Sequence, residues 1–375
     1  MAGRWTDITW QGRSARAWVP DGVSHDDFEV PVLVARRTEQ AGAAVRRADE
    51  RLPGAWEPIV RMLLRSEGIA SSDIEGIRAP IEDVVLAEID DDVADDTAAW
   101  IADNLAVVKS AIRAAGRTSL SVSVLNRWHR RLMRHSPLPA RLKGRFRDAQ
   151  GWIGGTSPLD AVYVPPPAPL IGNLMTDLVE FANRDDLDPV THAALLHAQF
   201  ETIHPYADGN GRIGRVLISW ILARRLAVSL PPPVSVLIAR DPGGYLSGLL
   251  RYREGEPDAF VNWFADIVTR AGNASVVLGE QIDELLAGWA RTVDALRADA
   301  VARRLVNLLP EQPVLNAAIV ATRLGVSERA ARGALGSLAD RGILQPVRAP
   351  GSHAGRPRSW WSASDLLDLV VGWAG

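Results

Sequence analysis

The 375 residues include no cysteine. Disulfides, thiolate nucleophiles, iron–sulfur clusters and cysteine-type zinc sites are therefore excluded, which is compatible with a reducing compartment. Lysine is nearly as scarce: Lys109 and Lys143 stand against forty arginines, a bias that reads as genomic base composition rather than phosphate recognition everywhere. Long apolar runs are missing too. Val216–Ala223 stops at Arg224 and Arg225, far short of the ~20 residues that span a bilayer. Met1 to Trp10 is polar and has no secretory apolar segment. These features lead us to expect a soluble, cytoplasmic protein without a membrane partner. No internal repeat or low-complexity tract is visible. What remains is ordinary globular composition, 47% hydrophobic and 23% charged with a net charge of −3, enough for two or three domains. The 13 tryptophans are scattered and read as core or contact residues.

Residues 1 to about 30 look irregular, with turn formers at Pro20, Asp21 and Gly22. Helical spacing runs from Val34 to about Glu67, interrupted at Pro53, Gly54 and Pro58. Eight acidic and no basic residues fall between Glu82 and Asp96; the aliphatic Val84, Val85, Leu86 and Ile89 among them favour a solvated helix face over a metal site or a disordered tail. Further helices are predicted at 97–115, 121–134, 170–183, 189–203, 210–226, 257–271 and 275–305, with Asp188 as an N-cap before Pro189. Between them, Gly151, Gly154, Gly155 and Tyr163-Val164-Pro165-Pro166-Pro167 read as a loop with a short hairpin.

The last 75 residues carry nine arginines and five acidic residues, a local charge of +4 that leaves −7 for the first 300. Here Asn316–Leu324, Gly325 and Ser327–Arg341 read as helix, turn and helix, followed by a hairpin-like stretch with Arg348, Arg356 and Arg358. That is the layout of a winged helix-turn-helix, a module that docks DNA or protein.

The chemistry is concentrated in His204-Pro205-Tyr206-Ala207-Asp208-Gly209-Asn210-Gly211-Arg212-Ile213-Gly214-Arg215, a loop that opens a helix. Gly209 and Gly211 let backbone N–H groups approach a ligand, and the helix N-terminus favours an anion. Arg212 and Arg215, spaced i, i+3, suit a di- or triphosphate. Asp208 offers a hard carboxylate for Mg²⁺. His204 is suited to general base work near neutrality. His192 and His197 lack a zincin pattern; His197 reads as a packing residue that Glu201, four residues on, can pair with.

This segment resembles the Fic family signature, His-Pro-Phe-x-Asp-Gly-Asn-Gly-Arg-x-x-Arg, with Tyr206 in place of Phe. Gly144 to Gly155 resembles the stretch before the family's flap, and Tyr163, Val164 and Pro165 the flap itself, a hairpin that pairs with an extended target. The resemblance implies an all-α fold: a Fic-type helical core with a small β-hairpin flap, plus the C-terminal winged helix-turn-helix. It implies four parts: an N-terminal helical region at 1–105, a catalytic core at 106–275, a connecting helix at 276–300 and the winged-helix domain at 301–375. It also implies a protein adenylyltransferase that moves AMP from ATP to a Ser, Thr or Tyr hydroxyl. His204 would be the base, Asp208 would hold Mg²⁺, and Gly209, Asn210, Gly211, Arg212 and Arg215 would bind the nucleotide.

Ser71-Ser72-Asp73-Ile74-Glu75-Gly76 resembles the family's inhibitory motif, Ser/Thr-x-x-x-Glu-Gly/Asn, of the class with an N-terminal inhibitory helix. Ser71 and Glu75 would share a helix face, Glu75 would pair with Arg215, and Gly76 completes the motif. Two other readings remain at this level: removal of AMP at the same site, and a DNA-binding regulator acting through 301–375. The partners implied are an unnamed target protein, the chain itself through Tyr163, Tyr206, Tyr245 or Tyr252, DNA or protein at the tail, and a second copy in a homodimer.

Overall fold

Residues 3–52, 57–89, 96–297, 300–347 and 359–374 are described by the structure, a computed structural model. Among them the chain is mostly helical with two small antiparallel sheets. The first sheet replaces the irregular arm expected at 1–30. Strands β1 (Gly3–Trp10) and β2 (Arg13–Pro20) pair with Trp5 opposite Trp18. Gln11 (φ 48°) and Gly12 (φ 78°) close the hairpin, two left-handed residues whose twist matches the strands.

Helices α1 (Val32–Arg51) and α2 (Glu57–Asp73) flank the break expected near residue 53; Pro53 and Gly54 lie outside the described residues, as does the side chain of Pro58. The acidic stretch becomes α3 (Ile81–Ala87), whose Val84, Val85 and Leu86 are buried; residues 90–95 lie outside the described residues. Helices α4 (Asp96–Ala115), α5 (Val122–Leu132), α6 (Ile171–Ala182), α7 (Pro189–Ile203) and α8 (Asn210–Leu226) follow at the expected places. Asp188 Oδ1 accepts from the N–H groups of Val190 (3.0 Å) and Thr191 (2.9 Å), the cap read from sequence. Short α9 (Val234–Arg240) and α10 (Pro242–Arg253) come next.

Helix α11 (Pro257–Val293) is one continuous rod of 37 residues where two helices were expected. Gly272 does not break it: a Cβ there would lie 3.0 Å from the Ala44 carbonyl carbon, so the glycine marks close approach of α1. Ser275 returns its hydroxyl to the Ala271 carbonyl (2.9 Å). The boundaries expected at 105 and 275 fall inside α4 and α11, and α1 packs into the same core as α7, α8 and the first half of α11. That core surrounds Phe181, Phe200, Trp220, Phe260 and Phe264.

The chain ends with α12 (Val301–Val306), β3 (Val314–Asn316), α13 (Ala317–Leu324), α14 (Glu328–Ala339), β4 (Gln345–Val347), β5 (Trp360–Ser362) and α15 (Ser364–Ala374). Gly325, at φ 65°, turns α13 toward α14, and Ser327 caps α14 by accepting from Ala330 N–H. The sheet order is β3-β5-β4. Arg348, Arg356 and Arg358, expected in the wing, lie outside the described residues. A second apolar cluster joins this unit to Ile59, Met62 and Leu63 of α2 and to Leu278, Ile282 and Trp289 of α11. Among the described residues no helix is long and apolar enough to cross a membrane.

Candidate active site

The site forms where α7 stops and α8 starts. His204 ends α7 in the left-handed region (φ 48°) with its N–H on the Phe200 carbonyl (2.9 Å). That conformation is uncommon for a residue with a Cβ, and Arg147 holds it. Arg147 N–H donates to Pro205 O (2.9 Å), and its guanidinium donates to the carbonyls of His204 (3.0 Å), Ala149 (2.9 Å) and Pro166 (2.6 Å). The following loop is clamped by Asn210, which accepts from Tyr206 N–H (2.8 Å) and donates to Tyr206 O (2.9 Å). His129 stacks on the Tyr206 ring at 3.8 Å. Gly144 N–H donates to its Nδ1 (2.8 Å), so its Nε2–H donates to Asp208 O (3.0 Å). Burial lowers the His129 pKa to about 4, which keeps this tautomer neutral. The Tyr206 hydroxyl finds Asn126 Oδ1 (3.0 Å), the partner its extra oxygen needs.

Helix α8 begins at Gly209 (φ 77°) with no side-chain cap. Asp208, partly exposed, accepts from Gly209 N–H (2.5 Å) and lies 3.5 Å from Arg212 Nη2. Arg212 is buried, stacks over Trp100 with its Cζ 4.4 Å from the ring centroid, and leaves Nε and Nη1 without acceptors. A buried guanidinium with unpaired N–H groups is costly unless an anion completes it. Burial accordingly lowers its pKa to about 10.

Arg215, also buried, is held through its Nε and Nη2. Its Nε donates to Ser71 Oγ (2.9 Å), and its Nη2 donates to Ser71 O (2.7 Å) and Glu75 Oε1 (2.7 Å). Contrary to the expected shared helix face, Glu75 lies beyond the helix, because α2 ends at Asp73. Gly76 (φ 74°) reverses the chain, with Ile77 N–H on Ser72 O (3.1 Å) and Gly76 N–H on Asp73 O (2.8 Å). This glycine-closed helix end aims Glu75 at the start of α8. A Cβ on Gly211 would stand 2.0 Å from Glu75 Oε1, so the carboxylate sits in the hollow that this glycine leaves. Burial works against the Glu75 charge, but Arg215 and, more weakly, Arg212 and His204 outweigh it and hold the carboxyl below the ordinary carboxylate range.

Two more carboxylates line the inner side. Glu67 accepts from Ser235 N–H (2.8 Å) and hydroxyl (2.5 Å), and Glu201 lies 3.8 Å from His204 Nδ1. Burial raises the pKa of each to about 7, against the pull of Arg215. Burial lowers that of His204 to about 4, with Arg147 and Arg253 adding to the shift.

Several sequence assignments change. Asn210 spends its amide on the loop, and Gly209 gives its N–H to Asp208, so neither offers those groups to a phosphate here. Tyr163, Val164 and Pro165 are buried rather than an open docking edge. Tyr163 pairs with Ile153, Val164 O accepts from Trp18 N–H (2.9 Å) and Pro165 O from Gln150 Nε2 (2.8 Å). The N-terminal hairpin, unforeseen, has taken that edge. Self-modification on tyrosine is disfavoured as well: Tyr163, Tyr206, Tyr245 and Tyr252 are all buried, with hydroxyls bonded to Thr202, Asn126, His197 and Gln199. Glu201 faces His204 as well as His197, whose Nε2 bonds instead to the Tyr245 hydroxyl (2.9 Å). The residues missed were His129, Trp100 and the clamp made by Arg147. Each comes from a distant helix or loop, and only Arg147 carried a cue, inside the Gly144–Gly155 stretch.

Residues 119–222 match the model of the Fic/DOC family. The chain is similar to the protein adenylyltransferase Fic of Drosophila grimshawi, 33% identical over 142 residues covering 37% of this chain and 26% of that protein. It is also similar to protein adenylyltransferase fic-1 of Caenorhabditis elegans, 29% identical over 150 residues covering 39% and 27%. The aligned part thus spans about a quarter of each curated relative. A crystal structure of a Fic family protein from Desulfovibrio desulfuricans G20 superposes with TM-score 0.57 at 20% identity, covering 89% of this chain and 97% of that one.

Proposed function

We propose that the Fic domain of this chain, residues 119–222, transfers AMP from ATP to a hydroxyl side chain of a protein target and is held back by Glu75. The observation that carries this reading is the start of α8. There a buried Arg212 with unpaired N–H groups and an uncapped helix N-terminus form an anion cradle, and Glu75 lies in it against Arg215. His204, beside the cradle and 22% exposed, accepts the target hydroxyl proton. The freed oxygen attacks the α-phosphorus, the bond to the bridging oxygen breaks, and pyrophosphate leaves toward Arg212 and Arg215. Such a reaction relies on positioning and charge neutralisation.

Asp208 is a single hard carboxylate at the mouth of the cradle, and among the described residues no group of three His, Asp or Glu side chains forms a protein cage for a metal. This donor fits Mg²⁺ held mainly by phosphates and water, which would spread the charge of the α- and β-phosphates. The test uses ATP labelled at the α-phosphorus, Mg²⁺ and cell lysate. Label should enter protein with Glu75→Gly and fall by about 10²–10⁴ when His204→Ala is added. Equal labelling by the two variants would refute the role of His204, and no labelling by either would refute the transfer.

A further inference from the structure

Glu201 and His204 form a pair that the sequence motif does not contain. His204 Nδ1 is buried, with the Glu201 main chain close enough to favour its protonation; Glu201 Oε1 has no hydrogen-bond partner, and Glu201 Oε2 stands 3.8 Å from that Nδ1. Buried polar atoms without partners are uncommon and point to a working arrangement rather than a packing one. Room for the carboxylate is built in: a Cβ on Gly214 would lie 2.4 Å from Glu201 Oε1. The Glu201 carbonyl accepts from Arg253 Nη2 (3.4 Å), and the side chain is 7% exposed. We propose that Glu201 is the positioning carboxylate of His204: it takes the Nδ1–H, leaves Nε2 as the proton acceptor, and stabilises the imidazolium formed when the target hydroxyl is deprotonated. The inference rests on the transfer reaction proposed above.

The arrangement answers an electrostatic problem. His204 faces Arg147 from the loop before the flap and Arg253 from α10, and both oppose its protonation. A base so placed gains a proton poorly unless a negative charge is at hand. Glu75 is the other carboxylate near it, and any enzyme that has released its brake has moved Glu75 away. Glu201 remains. Its surroundings are Arg215 of α8, Arg253 of α10, Glu75 at the end of α2, and His197 and His204 of α7. Burial raises its pKa to about 7, so it ionises around neutrality. The dyad therefore gains its charge as pH rises through that value, while His204 stays neutral throughout because its own pKa is about 4. Loss of the like charge of Glu75 moves the Glu201 ionisation downward.

Two measurements test this, both on the full chain carrying Glu75→Gly. The first is the pH profile of AMP labelling between pH 5.5 and 8.5. The rate should rise along a limb at or somewhat below pH 7, and Glu201→Gln should abolish that limb and lower the pH 8 rate about 10- to 100-fold. The second needs no catalysis: nitrogen-15 resonances of the histidines, with His204 assigned by loss in His204→Ala. At pH 8 His204 should be the Nδ1–H tautomer, kept in Glu201→Gln, which retains an acceptor, and lost in Glu201→Leu. An unchanged pH profile in Glu201→Gln, or an unchanged tautomer in Glu201→Leu, overturns the proposal. If Glu75→Gly transfers no AMP, the transfer reaction fails while the tautomer still decides whether Glu201 orients His204.

Discussion

Glu75→Gly tests the proposed brake, because Glu75 and the residues around it make named contacts. Arg215 is 1% exposed and donates three hydrogen bonds, two to Ser71 and one to Glu75 Oε1 at 2.7 Å. A hydrogen bond to a charged group contributes about 1.5–3 kcal/mol. Glu75 keeps 35% of its side chain exposed, so solvent screening reduces this to about 1–2 kcal/mol. At 1.4 kcal/mol per tenfold, the open fraction should rise by about 5–30-fold on removing the contact. We expect Glu75→Gly to raise the initial rate of AMP labelling by that factor. Glu75→Gln keeps the bulk in the Gly211 hollow and loses the charge, so it should fall between the two. The pH sign follows from the depressed carboxyl. A carboxylate stabilised by Arg215 closes the site above the ordinary carboxylate value of about 4.3 and releases it only as pH falls through its lowered value. Wild type should therefore stay braked across neutrality. Initial rates of wild type and both variants, with equal Mg·ATP and target, decide the matter. A Glu75→Gly rate within twofold of wild type, with unchanged nucleotide affinity, would refute the reasoning.

Two further substitutions separate neighbouring effects. Gly211→Ala puts a methyl where Glu75 Oε1 lies, 2.0 Å from the new carbon, and 3.0 Å from Arg215 Nη1; it should expel the Glu75 carboxylate yet yield no activity, since it fills the cradle, and nucleotide calorimetry should show weaker binding than in Glu75→Gly. Asp188→Ala removes two capping contacts from α7 and should destabilise the chain by about 0.5–2 kcal/mol in urea unfolding without altering the pH profile of the Glu75→Gly enzyme.

The helices and loop that carry the site were legible because their signals are local. Asp188-Pro189 starts α7, and the Gly209–Gly211 pair starts α8 within a few residues of the chemistry. The contact between Arg215 and Glu75 spans 140 residues; only a family resemblance suggested it, since no periodicity joins the two positions. The N-terminal hairpin was missed because its Gln11-Gly12 turn lacks the commoner Asn-Gly cue. Trp100 was illegible for another reason. Nothing in an acid-rich neighbourhood announces that one indole will stack on a guanidinium from α8 at 4.4 Å. Glu201 was seen but assigned to His197 by helical spacing. The left-handed turn at His204 brings that ring back beside Glu201, which an i, i+4 rule cannot foresee.

Helix α11 runs about 55 Å at 1.5 Å per residue over its 37 residues. Its first half supplies Phe260, Phe264 and Val268 to the core beneath the candidate site, and its second half supplies Leu278, Ile282 and Trp289 to the C-terminal cluster. Helix α2, which ends just before Glu75, is divided in the same way: Ala70 faces the first cluster, and Ile59, Met62 and Leu63 face the second. The two cores thus share their supports. A partner bound to the C-terminal unit would therefore bear on the two helices that also support the Glu75–Arg215 contact.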